Sequence, residues 1–300
     1  MNSELYYRHS GQFTPVGVLA GLLAGAGSGA LLAWGVEHFV DWAREAHLSA
    51  ILPVTAGMAI GAIVGFTLRH FHVRSLWIAV STAAVASALT LYLSWAVYVQ
   101  VLLARAGEQD TLAELWLNPP VIWSVMQQIT VEGVWSVSRW RPAGWQLWAL
   151  WTTEAVLVCG GAIVVARKLV DCDAFCERCE RWCEGVESLA RINAGDRDAL
   201  RRRMEMKELS HLEAVGRVVE GTRNWFRVDL HGCSQCQDLN LLAIAHVTWD
   251  PQQGKETQWR TPVVRNLFLS QDEVRVLRKV AARLNAAEAS PSGELGRAVN

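Results

Sequence analysis

The sequence predicts an α-helical bundle of four transmembrane helices followed by a small α+β domain, and three features predict this architecture. First, the 300 residues are 51% apolar and only 19% charged, whereas an ordinary soluble domain carries about 25% charged residues. Second, residues 1–166 contain 7 Lys+Arg and 9 Asp+Glu, and residues 167–300 contain 21 and 20. Third, six of the seven cysteines lie after residue 171. These features exclude a single water-soluble domain and a wholly disordered chain.

Four apolar stretches are each long enough to form a helix that crosses a bilayer, which requires about 20 residues. They cover residues 15–35, 51–68, 76–104 and 145–166. The third stretch has 29 residues, so its helix is expected to tilt or to project from the membrane. The predicted domains are an N-terminal segment (1–14), a transmembrane domain (15–166), a cysteine-rich domain (167–287) and a flexible tail (288–300).

Basic residues predict the orientation of a multi-span protein, because loops rich in Lys and Arg stay in the cytoplasm. If four helices cross, one side of the membrane receives Arg8, Arg69, Arg74, Arg167 and Lys168. This distribution predicts that both termini are cytoplasmic. The net charge is −1 and neither half is strongly charged, so the bilayer is an expected partner and nucleic acid is not.

Glycines recur at every fourth position in the first two apolar stretches. They form two rows: Gly17, Gly21, Gly25 and Gly29, then Gly57, Gly61 and Gly65. A row of this spacing lines one helix face and lets a neighbouring backbone approach closely, as helices do in lipid. Two interpretations remain open. Either the first two helices pack on each other as a tight hairpin, or the glycine faces line a pore or join subunits.

The segment between the third and fourth stretches, residues 105–145, is rich in tryptophan. It contains Trp116, Trp123, Trp135, Trp140 and Trp145, and an apolar amphipathic run covers residues 121–137. Because tryptophan prefers the membrane interface, we expect this segment to lie flat on the outer surface as one or two short helices. It serves either as a cap on the bundle or as a lid over a binding site.

Glu154 is the one acidic residue well inside a predicted transmembrane stretch. A carboxylate at this depth costs several kcal/mol unless it is protonated or paired. One interpretation makes Glu154 an intramembrane site for a proton or a cation. The other makes it an interhelical hydrogen-bond partner of a hydroxyl group in the third helix, that of Ser87, Thr90, Tyr92 or Ser94.

Two Cys-x-x-Cys pairs dominate the second half of the chain: Cys176 with Cys179, and Cys233 with Cys236. The cytoplasm keeps thiols reduced, so this density of cysteine favours metal or redox chemistry over structural disulfides. Each pair can place two thiolates on one tetrahedral ion, and two pairs complete its coordination. We therefore expect these four cysteines to bind Zn²⁺, with three residues as reserve ligands: Cys172, Cys183 and His231.

The residues around the second pair predict a small antiparallel sheet of zinc-ribbon type. Strands are expected over residues 225–230, 241–249 and 261–269, with a turn at His231 and Gly232. The 53 residues between the two pairs are expected to be largely helical, with a break at residues 193–195. A last helix begins at the capping box of Ser270 and Glu273 and extends to about residue 287.

Other cysteine chemistries fit the sequence less well. The spacing of Cys172, Cys176 and Cys179 matches radical enzymes that use S-adenosylmethionine, but only 121 residues follow, too few for the barrel that carries that triad. If these three cysteines and Cys183 lay on one helix, they would form a stripe for an iron–sulfur cluster, which is less favoured than zinc. A thioredoxin-like redox pair needs a βαβ setting that the sequence does not show.

Two sequence strings resemble bacterial multi-span membrane proteins to which no function is assigned. They are Gly144-Trp-Gln-Leu-Trp-Ala-Leu-Trp-Thr-Thr-Glu154-Ala and Ala174-Phe-Cys-Glu-Arg-Cys-Glu-Arg-Trp182. The resemblance implies glycine-rich transmembrane helices, a cytosolic Cys-x-x-Cys region of zinc-ribbon type and a location in the bacterial inner membrane. It implies no activity.

Three hypotheses of function follow from these features. In the first, the membrane helices anchor a structural-zinc module that binds a protein partner or another copy of the chain, with no enzymatic activity. In the second, the protein is a small transporter or channel that uses Glu154 and the glycine faces and is gated by the cytosolic domain. In the third, the cysteines sense thiols or metal and signal to the membrane helices.

Overall fold

The apolar first half of the chain forms long helices, and the mixed second half forms strands and shorter helices. The computed structural model describes residues 5–43, 48–107, 111–133, 141–183, 185–218, 221–236, 238–250 and 257–286. These residues divide into two compact units. One unit runs from Ser10 to Cys172, and the other combines the residues up to His9 with those from Asp173 onward.

The described residues of the first unit form six helices. They are α1 (Pro15–Ala43), α2 (Leu48–His70), α3 (Leu76–Ala106), α4 (Leu112–Trp116), α5 (Pro119–Glu132) and α6 (Trp145–Asp171). Helices α1, α2, α3 and α6 are long and apolar enough to cross a membrane, with mean hydropathy between 1.8 and 2.0. This confirms the four predicted apolar helices, and α6 continues past the predicted end at residue 166.

The glycine row of α2 lies against the backbone of α6. A Cβ atom added at Gly57 would come within 2.4 Å of the carbonyl oxygen of Val158, and one added at Gly61 would come equally close to that of Ala162. Gly65 lies against Leu169 and Ala166 in the same helix. Parallel rows of small residues therefore bring the backbones of α2 and α6 into direct contact, as small-residue rows do in membrane bundles.

The glycine row of α1 lies against side chains of two other helices. A Cβ atom added at Gly25 would lie 2.6 Å from Cγ2 of Val64 in α2 and 2.9 Å from Cβ of Ala86 in α3. Gly29 accommodates Thr90 of α3 in the same way. The glycine row of α1 therefore packs on side chains of both α2 and α3, so α1 and α2 do pack on each other, but the two glycine rows do not face each other. The small residues of α6 fit the row of α2 more closely than α1 does.

The segment after α3 packs back on the bundle. Leu115 of α4 and Ile122 of α5 are buried with Ala96 and Val99 of α3. Indole rings continue the contact: Trp123 lies 5.5 Å from Trp148, Trp148 lies 5.3 Å from Trp151, and Trp151 lies 4.6 Å from Trp95. This packing supports the interpretation of a cap. Residues 134–140, with Trp135 and Trp140, lie outside the described residues.

The described residues of the second unit form two antiparallel sheets and three helices. Strands β1 (Ala174–Cys176) and β2 (Arg181–Cys183) form a hairpin. Strands β3 (Val186–Asn193), β4 (Asn224–Gly232), β5 (Asn240–Asp250) and β6 (Thr257–Phe268) form a sheet in that order. The helices are α7 (Arg197–Glu205), α8 (His211–Val215) and α9 (Gln271–Ala286).

One face of the larger sheet carries the hydrophobic core. Alternate residues of β4, among them Phe226, Val228 and Leu230, lie on this face because side chains along a strand alternate in direction. They are buried with the apolar stripe of α9, which includes Leu277 and Val280. The capping box predicted for Ser270 and Glu273 begins this helix.

Residues 5–7 add a short antiparallel pairing at the outer edge of the sheet. Tyr6 bridges Leu267 of β6, Tyr7 N–H donates to the Asn266 carbonyl at 2.8 Å, and Phe268 N–H donates to the Leu5 carbonyl at 2.9 Å. We call residues 5–7 the edge strap. It covers backbone groups of β6 that an edge strand would otherwise expose.

The residues between the two cysteine pairs are less helical than expected. Residues 186–193 form strand β3 instead of a helix, and two short helices replace the single helix expected after the break at residues 193–195. A bulge between Ser188 and Ala190 shifts the strand register. Leu189, Ala190 and Ile192 are all buried in the core. Because a bulge interrupts the two-residue alternation of a strand, the spacing of these buried residues resembles that of a helix.

Candidate metal centre

The first Cys-x-x-Cys pair lies in the hairpin of β1 and β2. Cys176 ends β1, Cys179 lies in the turn, and Glu180 reverses the chain with a φ of 50°. The backbone N–H groups of Arg178 and Cys179 hydrogen-bond to the sulfur of Cys176. We call residues 176–179 the first knuckle. Two backbone N–H groups of this turn hydrogen-bond to the thiol of one of its own cysteines.

The second pair lies in the turn from β4 to β5 and is built in the same way. Cys233 N–H donates to the Leu239 carbonyl at 3.0 Å and closes the turn. The backbone N–H groups of Gln235 and Cys236 hydrogen-bond to the sulfur of Cys233. We call residues 233–236 the second knuckle. In both knuckles the first sulfur therefore accepts from the residues two and three positions further along.

The two knuckles bring four sulfur atoms together. The Sγ atoms of Cys176, Cys179, Cys233 and Cys236 all lie within 4.8 Å of one another, and those of Cys176 and Cys236 are 3.5 Å apart. A tetrahedral ion with Zn–S bonds of about 2.3 Å separates its sulfur ligands by about 3.8 Å. The four cysteines could therefore hold a metal ion with little movement. The first cysteine of each knuckle is 3% exposed.

The protein environment acts differently on the four thiols. Burial opposes ionisation of Cys233, but the N–H groups of Cys236 and Gln235 outweigh it and lower the pKa of Cys233 to about 6. A hydrogen bond with Cys236, together with burial, raises the pKa of Cys179 to about 12. Burial also raises the pKa of Cys176. A bound cation would draw all four into the thiolate form, because metal binding displaces ligand protons.

The three reserve ligands are not part of this group. Cys183 is buried beside it at the end of β2, and burial raises the pKa of Cys183 to about 12. His231 lies on β4 opposite Leu241, and burial lowers its pKa. Cys172 follows α6 in the first unit, where its sulfur accepts a hydrogen bond from Arg69 Nη1 at 2.9 Å. The helical stripe of cysteines considered for an iron–sulfur cluster is thus not formed.

Tyr7 of the edge strap and the nearby His9 support the first knuckle. Phe175 N–H donates to the Tyr7 hydroxyl at 2.9 Å, so Tyr7 is bonded to the residue that precedes Cys176. The ring of His9 lies 6.0 Å from that of Trp182, edge to face. Sequence reasoning missed these contacts because 168 residues separate Tyr7 from Phe175, and no local pattern marks such a pairing.

An ion pair joins the two knuckles at the surface. Arg178 of the first knuckle contacts Asp238, which follows the second knuckle. Both side chains are largely exposed, so the pair itself contributes little to stability. The ion pair shows that the two knuckles approach each other at the protein surface.

Glu154, the residue of the predicted intramembrane site, lies in α6. Glu154 precedes Val158 by one helical turn, but the Glu154 side chain is exposed, whereas Val158, Ala162 and Ala166 are buried against α2. The hydroxyl groups of Ser87 and Thr90 donate to carbonyls of their own helix. The Tyr92 hydroxyl donates to the Trp116 carbonyl and the Ser94 hydroxyl to the Leu91 carbonyl, so none of the four suggested hydroxyl groups donates to Glu154.

Comparison of the chain with protein-family models, with curated proteins and with solved structures found no match in any of the three.

Proposed function

We propose that this protein is an integral membrane protein that anchors a structural zinc module at the cytoplasmic face, where the module binds a protein partner. The observation that carries the proposal is the group of four cysteine sulfurs within 4.8 Å of one another. Four protein ligands fill the coordination of zinc and leave no position for a substrate, which is typical of structural sites. The implied role is to hold a binding surface in shape.

Zinc is the metal that best fits the donor set. Four thiolates are soft ligands and favour zinc or an iron–sulfur cluster. The two knuckles present their sulfurs from opposed turns, each with two N–H···S hydrogen bonds. The sulfurs of Cys176 and Cys236, 3.5 Å apart, fit a single tetrahedral ion.

Insertion of α1, α2, α3 and α6 into the bacterial inner membrane is part of the proposal. Their length and hydropathy support it, and the bias of basic residues supports cytoplasmic termini. The pairing of Tyr6 with Leu267 agrees with an even number of crossings, because it requires residues before α1 and after α6 to be on the same side.

A pocket beside the second knuckle supports partner binding. It has a volume of about 430 Å³ and is lined by the start of β3, the end of β4, Cys233 and the first turns of α9. Val186 is 52% exposed at its rim. Concave surfaces with exposed apolar residues are common binding sites.

Metal analysis of the detergent-purified full-length protein tests the zinc site. We expect one zinc per wild-type chain and none in the double variant Cys176→Ser/Cys233→Ser, while the control Cys183→Ser keeps its zinc. Iron in place of zinc would contradict the structural-zinc proposal, and so would full zinc content in the double variant.

Crosslinking in cells tests the partner. We expect Val186→Asp, at the rim of the pocket, to lose a crosslinked protein that the wild type captures. The matched control is Val276→Asp, since Val276 is 46% exposed on α9 and does not line the pocket. Equal crosslinking in both variants would show that the pocket is not the binding surface.

A further inference from the structure

The larger sheet leaves one stretch of its edges uncovered. Its β6 edge pairs with the edge strap, and at the other edge Arg217 bridges Ile192 in the second half of β3. Among the residues that the structure describes, no strand or bridge pairs with the outer side of residues 186–188, the first half of β3. We call residues 186–188 the open edge. An edge strand that presents unpaired backbone groups is a template for an added strand.

The open edge borders the pocket beside the second knuckle. Val186 and Glu187 line the pocket, and residues 186–188 are all exposed. Val274 and Arg278 of α9 also line it, so the pocket lies on the face of the sheet that α9 covers. Successive side chains of a strand point to opposite faces of its sheet. A strand added at the open edge would therefore direct every second side chain toward α9.

Two arginines of α9 give the pocket its charge. Arg275 and Arg278 line it, whereas Glu187 is the only acidic residue among the described residues of the lining. Arg278 Nη2 donates to Glu187 Oε2 at 2.9 Å, so the guanidinium lies beside the open edge. A guanidinium has five N–H donors, and this bond uses one of them. Arg278 therefore has donors left for a carboxylate on an added strand, a ligand that its planar fork matches.

The rest of α9 extends this positive charge. After Glu273 every charged residue of the helix is basic: Arg275, Arg278, Lys279 and Arg283. The ion pair of Arg275 with Asp272 joins two largely exposed side chains, so it contributes little and competes weakly with another carboxylate. Complementary charge at an interface steers association and disfavours partners of the wrong sign. The charge of this surface therefore fits an acidic partner.

We propose that the open edge and the pocket bind an extended acidic segment of the partner protein as an added strand, with its carboxylates held by Arg275 and Arg278. Backbone hydrogen bonds to residues 186–188 supply affinity, and the side-chain contacts supply specificity, as in other cases of strand addition. The inference rests on the proposed function, because it names the chemistry of the partner at the same pocket.

Fluorescence anisotropy of labelled peptides, with the full-length protein in a neutral detergent, tests the proposal. The probe is a peptide of alternating glutamate and valine, which we expect to bind saturably. The affinity should fall about tenfold or more when lysine replaces each glutamate, because like charges then meet. The acidic peptide with a methyl group on every backbone nitrogen should also lose affinity, because it keeps its charge but has no N–H group to donate to a strand.

Two double variants separate the charge of the pocket from the charge of the whole chain. Arg275→Glu/Arg278→Glu should weaken binding of the acidic peptide by about tenfold or more. Lys279→Glu/Arg283→Glu is the matched control, since it changes the net charge equally in the same helix, at residues that do not line the pocket. The control should retain most of the affinity. Zinc content and thermal melting verify that both variants are folded.

Three results would overturn the proposal. In the first, the acidic peptide does not bind. In the second, it binds no better than the lysine peptide or the methylated peptide. In the third, both double variants bind it equally. If Val186→Asp still loses its crosslinked protein while the acidic peptide fails to bind, the partner is not acidic, so this inference is wrong and the proposed function stands.

Discussion

Asp229 shows how much one residue of the second unit depends on a single neighbour. Its side chain is 5% exposed on β4, and one carboxylate oxygen, Oδ2, accepts from Arg227 Nη2 at 2.6 Å. The other oxygen, Oδ1, is buried without a hydrogen-bond partner. A buried carboxylate is tolerated only with its partner present, because removal of one member leaves an uncompensated charge.

Arg227→Ala is therefore expected to lower the free energy of unfolding of the second unit by about 3 kcal/mol. The double variant Arg227→Ala/Asp229→Ala should be less destabilised than the single variant, because it no longer buries a charge. Arg191→Ala is the control: this residue lies over the ring of Trp225 at 5.8 Å, a contact of about 0.5 kcal/mol. Thermal melting measures all three, and equal melting of single and double variants would contradict the argument.

His246 predicts a pH dependence. Its Nδ1 lies 2.7 Å from Arg197 Nη2, and burial, then the charge of Arg197, lowers the pKa of His246 below its usual 6.5. Below pH 6.5 His246 is therefore protonated more readily in the unfolded chain than in the folded chain. The free energy of unfolding consequently decreases as the pH falls through this range. The melting temperature of His246→Gln should fall less than that of the wild type between neutral pH and mildly acidic pH. An equal fall in the melting temperature of the wild type and of His246→Gln would contradict this role of His246.

At the scale of elements, the contact of α2 with α6 depends on its glycines. Gly61→Ala would place a Cβ atom 2.4 Å from the carbonyl oxygen of Ala162, so the two helices must separate, at a cost of about 1–3 kcal/mol. Gly27→Ala is the matched control, since nothing lies within 4 Å of its added Cβ. Detergent unfolding followed by circular dichroism should show a loss for Gly61→Ala only. A similar loss in both variants would indicate a general effect of alanine.

The elements also show which parts of the fold are encoded locally. The four apolar helices, the strands around residues 225–230 and 241–249, and the helix capped by Ser270 all follow from hydropathy, alternation and capping. The spacing of the cysteines likewise indicated which four sulfurs meet. The partner helix of each glycine row could not be predicted, because Gly57 and Gly25 carry the same pattern and only three-dimensional packing distinguishes them. Strand β3 was missed because its bulge disguises the alternation.

At the scale of the whole molecule, two units have separate sources of stability. The helices α1, α2, α3 and α6 depend on small-residue packing, whereas the knuckles have a small apolar cluster of their own around Leu241, with Cys176, Cys183 and Cys233. A metal that joins both knuckles would therefore stabilise the second unit and leave the first unit unchanged, since bound metal contributes to folding only where its ligands are.

Removal of the metal by a strong chelator should accordingly lower the melting temperature of the second unit by about 10 °C or more, without changing the helical circular dichroism of the first unit. The control Cys183→Ser should respond to the chelator as the wild type does. A melting curve that chelation leaves unchanged would contradict a structural role for the metal.

The edge strap affects the order in which the parts of this protein fold during synthesis. Tyr6 pairs with Leu267, so the ribosome synthesises the two partners far apart in time, with all four apolar helices in between. The edge strap stays unpaired while those helices leave the ribosome, because a contact between residues so far apart in sequence forms late. The second unit therefore completes its sheet only after the four apolar helices have been made, and a bulky group attached before residue 5 would interfere with this last step.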